Sequence, residues 1–316
     1  MQQYIVRRLL LMIPTLFGIT IIVFMLTRFT PQDTVDLLVG DIGYQDEALK
    51  QQLRDELGLS SSVHIQYVKW MAKVFQGNFG QSYYTGRSVT AELKNRLPVT
   101  VELGATALTI SIMVGIPIGI ISAIRQDSVL DYSTRGLAIL LLAVPSFWLA
   151  IMVIVYGSRY LHWAPPYQYT TPWADIRNNI AIIATPAIIL GLGLSGTKMR
   201  FMRAQMLEVL RQDYIRTARA KGLTELAVLV RHAAKNALIP VVTIIGLQLP
   251  ILIAGSVILE NIFLIPGIGR YLVESATRSD YAILQGLTLL VAVAIVVSNL
   301  LVDLSYGMLD PRVRLG

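Results

Sequence analysis

The chain has 316 residues, 54% of them apolar and only 15% charged, whereas a soluble domain carries about 25% charged residues. Six uncharged runs of at least 18 residues exclude a soluble globular fold, because each is long enough to cross about 30 Å of hydrocarbon. The net charge of +7 is concentrated in one segment, which fits anionic headgroups better than nucleic acid, and the lack of cysteine excludes disulfide and thiolate chemistry.

The first predicted span covers residues 9–27, behind Arg7 and Arg8. It is too long for a signal peptide and no small-residue cleavage site follows, which predicts an uncleaved helix. Residues 30–97 are polar and read as an external subdomain. Within it Asp46 is expected to cap a helix over 47–57 that Gly58 stops. The amphipathic stretch 64–75 exposes Lys69 and Lys73 around Trp70 and suits the outer leaflet. The second span is 103–124, with Pro117 inside, and the third is 136–158, with Pro145 inside. Loop 159–179 carries Trp163, Tyr167, Tyr169 and Trp173, the composition of an interfacial aromatic belt. Spans 180–197, 237–259 and 281–302 complete the set, with Pro240 and Pro250 in the fifth. The prolines inside spans are expected to kink helices.

Six spans place both termini on one side. Leaving out the long first external segment, the inner side holds 15 Lys or Arg and the outer side four, so both termini are expected in the cytoplasm. The fold class predicted is an all-α polytopic membrane protein. Its divisions are 1–29 (N-terminus and first span), 30–97 (external subdomain), 98–305 (core with spans two to six) and 306–316 (cytoplasmic tail).

The loop 198–236 has 39 residues, with nine Lys or Arg against three acids. Asp213 is expected to cap a short helix and Gly222 to end it in a left-handed turn. A second helix is expected from Thr224, with Leu226, Leu229, Ala233 and Ala237 on one face. A plain helix connector has about 2–8 residues, so this loop reads as a handle for something in the cytosol. The run 191–198, GLGLSGTK, is not a phosphate loop, because Lys does not precede Thr and no strand leads in. Its glycines are expected to allow close helix packing. The spans contain no charge, and Glu102, Glu260 and Asp303 fall at span ends within reach of water or headgroups. No coupling-ion site, catalytic group or metal cluster is indicated, and His64, His162 and His232 fall in separate polar segments. The energy for any transport must then come from a partner.

The residues also carry a resemblance. The loop DYIRTARAKGL followed by RHAAKNALIPVV resembles the cytoplasmic signature of permease subunits of ATP-binding-cassette importers. The B-type subunit of the dipeptide, oligopeptide, nickel and glutathione group is the nearest branch. RRLLLMIPTLFGI, NFGQSYYTGRSV, LPVTVELGATAL, VPSFWLA, ENIFLIPGIGRYLVES and DLSYGMLDPRVR extend the likeness along nearly the whole chain. The general importer loop begins Glu-Ala-Ala; here Arg216, Thr217 and Ala218 stand in those places, while Gly222 is kept and Pro240 lies further on. Docking by the loop is therefore implied, but not the salt bridge that the glutamate makes elsewhere.

The resemblance implies a type I importer permease fold. It implies a homologous second permease, two ATPase subunits below, a solute-binding protein outside, and a multi-pass location in a prokaryotic cytoplasmic membrane. ATP and Mg would be bound by the partner ATPases, and no cofactor by this chain. Membrane lipid is a partner and nucleic acid is not. The implied coupling residues are Asp213, Tyr214, Arg216, Thr217, Ala218, Arg219, Ala220, Lys221 and Gly222. Pro266, Gly267, Ile268 and Gly269 are either a contact for the binding protein or cargo, or a tight turn needed only for backbone geometry. A stand-alone ion-coupled carrier or channel is the alternative, and the lack of intramembrane charge speaks against it.

Overall fold

A computed structural model describes residues 2–26, 35, 47–56, 60–82, 84–166, 168–250 and 257–309. Among them the architecture is helical, with one isolated antiparallel bridge between Gln81 and Ser88. The chain is an all-α polytopic membrane protein. Five helices are each long and apolar enough to span a membrane, and a sixth span forms if two helices joined at a sharp bend count together.

Helix α1 (Gln2–Leu26) contains Pro14 and packs against the last helix, α12 (Tyr281–Leu309). Helices α2 (Glu47–Glu56) and α3 (Val63–Phe75) follow. The expected cap Asp46 and stop Gly58 lie outside the described residues. Lys69 and Lys73 on α3 are exposed. Its inner face meets α1: Phe24 lies against Tyr67 and Trp70, and the hydroxyls of Thr20 and Tyr67 are 2.7 Å apart.

Two helices outrun their apolar runs. Helix α4 (Val89–Ile124) has 36 residues and α7 (Ile176–Leu210) has 35, each about 50 Å long at 1.5 Å per residue. Ser88 caps α4 by accepting from the Ala91 amide, and Asp175 caps α7 by accepting from Asn178. They form the axis of the bundle and run parallel, because Gly191 meets Ala107 while Met202 meets Gly119. Small residues set their separation. A β-carbon at Gly115 would lie 2.7 Å from Lys198, one at Gly119 2.7 Å from Met202, and one at Gly191 2.7 Å from the Ala107 carbonyl. Close backbone approach of this kind replaces the hydrophobic drive that lipid cannot supply. Gly191 thus serves close packing as expected, as does Gly196 against Ala138, whereas Gly193 has no neighbour within 4 Å.

The third predicted span is not continuous. Helix α5 (Val129–Ala143) and α6 (Ser146–Leu161) meet at 92°. Val144 is extended, as the residue before a proline must be, and Pro145 has no amide to continue the ladder. The fifth span also departs from expectation. The described helix, α9, is Glu225–Leu247, with a π-helical segment at Val228–Ala234. Two short helices, α10 (Val257–Ile262) and α11 (Ile268–Thr277), fold back before α12.

The core divides along the α4–α7 axis. One cluster joins Val99, Leu103, Ala150, Ile182, Leu259 and Phe263. A second joins Met202, Met206, Ile215, Val228, Ala233 and Val241, and a smaller third joins Val89, Ile283 and Leu287. Charged side chains enter this interior from positions just beyond the expected spans. Lys198 is fully buried and donates to Gln248. Glu260, expected at a wet boundary, is fully buried as well. The side chain of Asp303 lies outside the described residues.

Candidate functional site

The loop between α7 and α9 folds into helix α8 (Asp213–Ala220), with two unlike faces. Ile215 and Ala218 are buried against Met202 and Met206 of α7 and Val228 and Ala233 of α9. Asp213, Tyr214, Arg216, Thr217, Arg219, Ala220, Lys221 and Gly222 are exposed. Eight residues cannot hold a helix by themselves in water, so the buried pair fixes α8 to the bundle and leaves the rest of its surface free.

Local chemistry sets the ends of α8. Asp213 does not cap it: Gln212 is the extended cap residue and makes no side-chain bond. Asp213 instead occupies the first helical position, where its charge suits the helix dipole, and its carboxylate lies 3.4 Å from the Arg216 guanidinium. At the other end Gly222 takes φ +77°, and its amide donates to the Arg219 carbonyl at 2.9 Å. The left-handed stop expected at Gly222 is present. The Arg219 guanidinium then reaches both carboxylate oxygens of Glu225, at 3.1 and 2.7 Å, and locks the turn between α8 and α9.

Helix α9 starts just past Thr224 as expected, and Thr224 caps it, accepting from the Ala227 amide at 3.4 Å. The apolar face differs from the one expected. Leu226 is 72% exposed and Val228 is fully buried, with Ala233 and Ala237. A π-helical turn takes an extra residue, so the period of 3.6 that places Leu226 with Ala233 does not hold across Val228–Ala234.

The handle therefore presents Tyr214, Leu223 and Leu226 to solvent among Arg216, Arg219 and Lys221. The Tyr214 hydroxyl accepts from Asn236 at 2.9 Å, which orients the ring. Leu223 and Leu226 escape sequence reasoning, because a periodicity argument sends leucines inward. Ala218 was expected on the docking side and belongs to the seat instead.

At the opposite end of the bundle, Pro266, Gly267, Ile268 and Gly269 form the turn into α11. Pro266 is half-buried and the other three are buried. The Thr100 hydroxyl donates to Glu260 at 2.9 Å and accepts from the Ile268 amide at 2.8 Å. The Arg270 amide donates to Glu260 at 3.1 Å. Glu260 thus caps the start of α11 from a different helix. A β-carbon at Gly267 would run into the Glu260 carboxylate and lie 2.6 Å from the Thr100 hydroxyl, and one at Gly269 would lie 2.7 Å from Val257. These glycines answer a packing demand, which favours the backbone reading of this turn. Beside it Leu264, at φ +55°, and Ile258 offer exposed apolar side chains.

Nearby, Ser82 donates to Asp280 at 2.6 Å, and Gly286 admits the Phe79 carbonyl. The turn around residues 79–88 is thereby tied to α12. The aromatic loop does less than expected of a belt. Trp173 is 93% exposed, whereas Trp163 stacks on Gly157 and Tyr169 donates to Glu102 at 2.6 Å. Burial, then that hydrogen bond, push the Tyr169 phenol above its ordinary pKa. Tyr167 lies outside the described residues.

Comparison with known proteins agrees with this arrangement. Residues 115–315 match the family described as binding-protein-dependent transport system inner membrane component, and residues 1–104 match its N-terminal companion family. The dipeptide transport system permease protein of Escherichia coli strain K12 is 40% identical over 99% of both chains. The oligopeptide transport system permease protein of Bacillus subtilis strain 168 is 38% identical over 99% of this chain and all of that one. A helical bundle with a partly exposed polar loop, matched end to end by such relatives, has one reading: the chain belongs to the inner-membrane component family of binding-protein-dependent transport systems and is a permease subunit of an ATP-binding-cassette importer.

Proposed function

We propose that this permease forms half of the pathway for peptides or similar small solutes across a prokaryotic cytoplasmic membrane, with a homologous second permease forming the other half. Two partner ATPases bind ATP and Mg, and one of them grips the exposed face of α8. A solute-binding protein delivers cargo at the end that carries α11. The observation that supports this reading is the two-sided burial of α8: seated on Ile215 and Ala218, open at Tyr214, Arg216, Thr217 and Lys221. The dipeptide and oligopeptide systems of the relatives point to peptide cargo.

In this cycle the ATPases close on ATP and draw the α8 helices together. The closed state must favour the outward-open permease by a few kcal/mol through its contacts with this loop, since a partner that binds both states equally shifts nothing. The chain supplies a pathway and a lever, while the chemistry takes place in its partners.

Ala218 is buried, so a charged residue there would test the seat of α8. Leu223→Glu acts on the open face, and Tyr214→Glu acts there while also removing the bond from Asn236. In the reconstituted complex both are expected to insert normally, to lose ATPase association and to reduce uptake at least tenfold. Normal association and uptake in both would reject the docking surface.

A further inference from the structure

The same two turns of α7 that seat the coupling helix also carry Arg203. Met202 and Met206 face Ile215 and Ala218 of α8. Arg203 faces the other way, and its Nε and Nη2 each donate to the Asp131 carboxylate at 2.7 Å. Asp131 is fully buried. Its carboxylate also accepts from the Ser122 hydroxyl at 2.6 Å and the Asp127 amide at 3.1 Å. Thr134 joins the group, its hydroxyl 3.0 Å from that of Ser122. One carboxylate thus gathers the end of α4, the inner turn 125–128, the first turn of α5, and α7. Asp127 sits there at φ +61°, a conformation an L-residue rarely adopts, held in place by the hydrogen bond its backbone amide donates to the Asp131 carboxylate.

A buried ion pair is weak support for stability, because desolvation offsets its attraction, and its best-attested use is to fix register. Further along, α5 and α7 touch through Gly196, whose missing β-carbon admits the Ala138 carbonyl and Leu142. That close approach sets the separation of the two helices by packing alone. A bidentate guanidinium–carboxylate pair has a fixed angle and position. Beyond α5 lies the 92° bend into α6, so whatever holds α5 to α7 also sets how the bent span follows the α7–α8 arm.

We propose that Arg203 and Asp131 are positioning residues that link the coupling arm to the bent span α5–α6, so that movement of α8 displaces that span instead of letting α7 slide along it. The proposal rests on the reading of α8 as the ATPase contact. It adds a defined route from that contact into the membrane.

The test uses the full importer in proteoliposomes. Asp131→Asn keeps the shape of the group and Arg203→Lys keeps the charge. Both variants are expected to assemble with the ATPases and hydrolyse ATP at the basal rate. Both should lose at least tenfold of uptake and of the stimulation given by ligand-loaded binding protein. A mere structural role would not separate basal from stimulated hydrolysis. The chain has no cysteine, so Asp131→Cys with Arg203→Cys can be bridged cleanly by a short bifunctional thiol reagent. Bridging is expected to restore at least half of the stimulation, and the unbridged pair should show none. Full uptake and stimulation in Asp131→Asn and Arg203→Lys would overturn the link. So would failure of assembly in every variant, bridged or not, since the pair would then only hold the fold. Association of the ATPases with Leu223→Glu is measured alongside. Intact association there and in Tyr214→Glu removes the docking reading, whatever the outcome at Asp131.

Discussion

At Gly222 the backbone takes φ +77° and no heavy atom lies within 4 Å of where a β-carbon would sit. Any cost of substitution there is therefore backbone strain and not a clash. For an ordinary L-residue the left-handed conformation costs about 1–2 kcal/mol, and Asn is the side chain that tolerates it best. Gly222→Val is accordingly expected to disturb the turn between α8 and α9 and lower uptake several-fold, while Gly222→Asn retains most of it. Equal uptake in the two variants, measured in the assembled importer, would show that the turn does not set the position of α8. The identity of this residue was readable from sequence, since a glycine at the end of a short capped segment has few other uses. Ala218 and Leu223 were not. Which side of an eight-residue helix faces the bundle depends on where Met202, Met206 and Val228 lie, and nothing local to the helix reports that. Glu260 was missed for a related reason. It looks like a boundary residue until the chain folds back and the amides of α11 turn toward it.

Among elements, the long helices were legible as membrane spans because an uncharged run of that length has no other stable home in water. Their true ends were not, since α4 and α7 continue into charged sequence, with Glu92, Arg96, Arg200 and Arg203 on helix beyond the apolar run. Hydropathy marks the lipid-facing part of a helix, whereas hydrogen bonding carries the helix on. The break at Pro145 shows the converse: an apolar run unbroken in composition and broken in geometry. Non-helical backbone at membrane depth persists only where protein or a water-filled path covers it, so this bend is expected to face away from lipid. The π-helical turn in α9 was equally invisible to a period-3.6 reading.

The axis of the bundle gives a direct check on packing. Gly191→Leu places side-chain atoms against the Ala107 carbonyl, 2.7 Å from the β-carbon, and Ile110. Overpacking of this kind costs about 1–3 kcal/mol. Gly193, two residues on, has an open environment, and Gly193→Ala is expected to be neutral or to stabilise the helix by roughly 0.5–1 kcal/mol. Thermal unfolding in detergent should show a lower Tm for the first and an unchanged or higher Tm for the second. A like response at both positions would contradict the parallel α4–α7 contact.

For the whole molecule, the account is of a passive bundle with a handle. The seat of α8 spans α7 and α9, and the Arg203–Asp131 pair lies on the same part of α7, so on the proposed reading α7 is one route by which force at the handle enters the membrane. The buried charges differ from those of an ion-coupled carrier. Among the described residues Asp131 is matched by Arg203, Glu92 by Arg87 and Arg96, Glu260 by Thr100 and backbone amides, and one oxygen of Asp280 by Ser82, while Lys198 donates to the neutral Gln248. Groups so satisfied hold structure, and a proton or sodium relay needs sites that load and empty. Uphill accumulation of a peptide in proteoliposomes, with a proton or sodium gradient imposed, tests this most directly. The chain alone is predicted to accumulate nothing, and accumulation is predicted only once the second permease, the ATPases, ATP and the loaded binding protein are supplied. Accumulation by the chain alone, driven by either gradient, would contradict it.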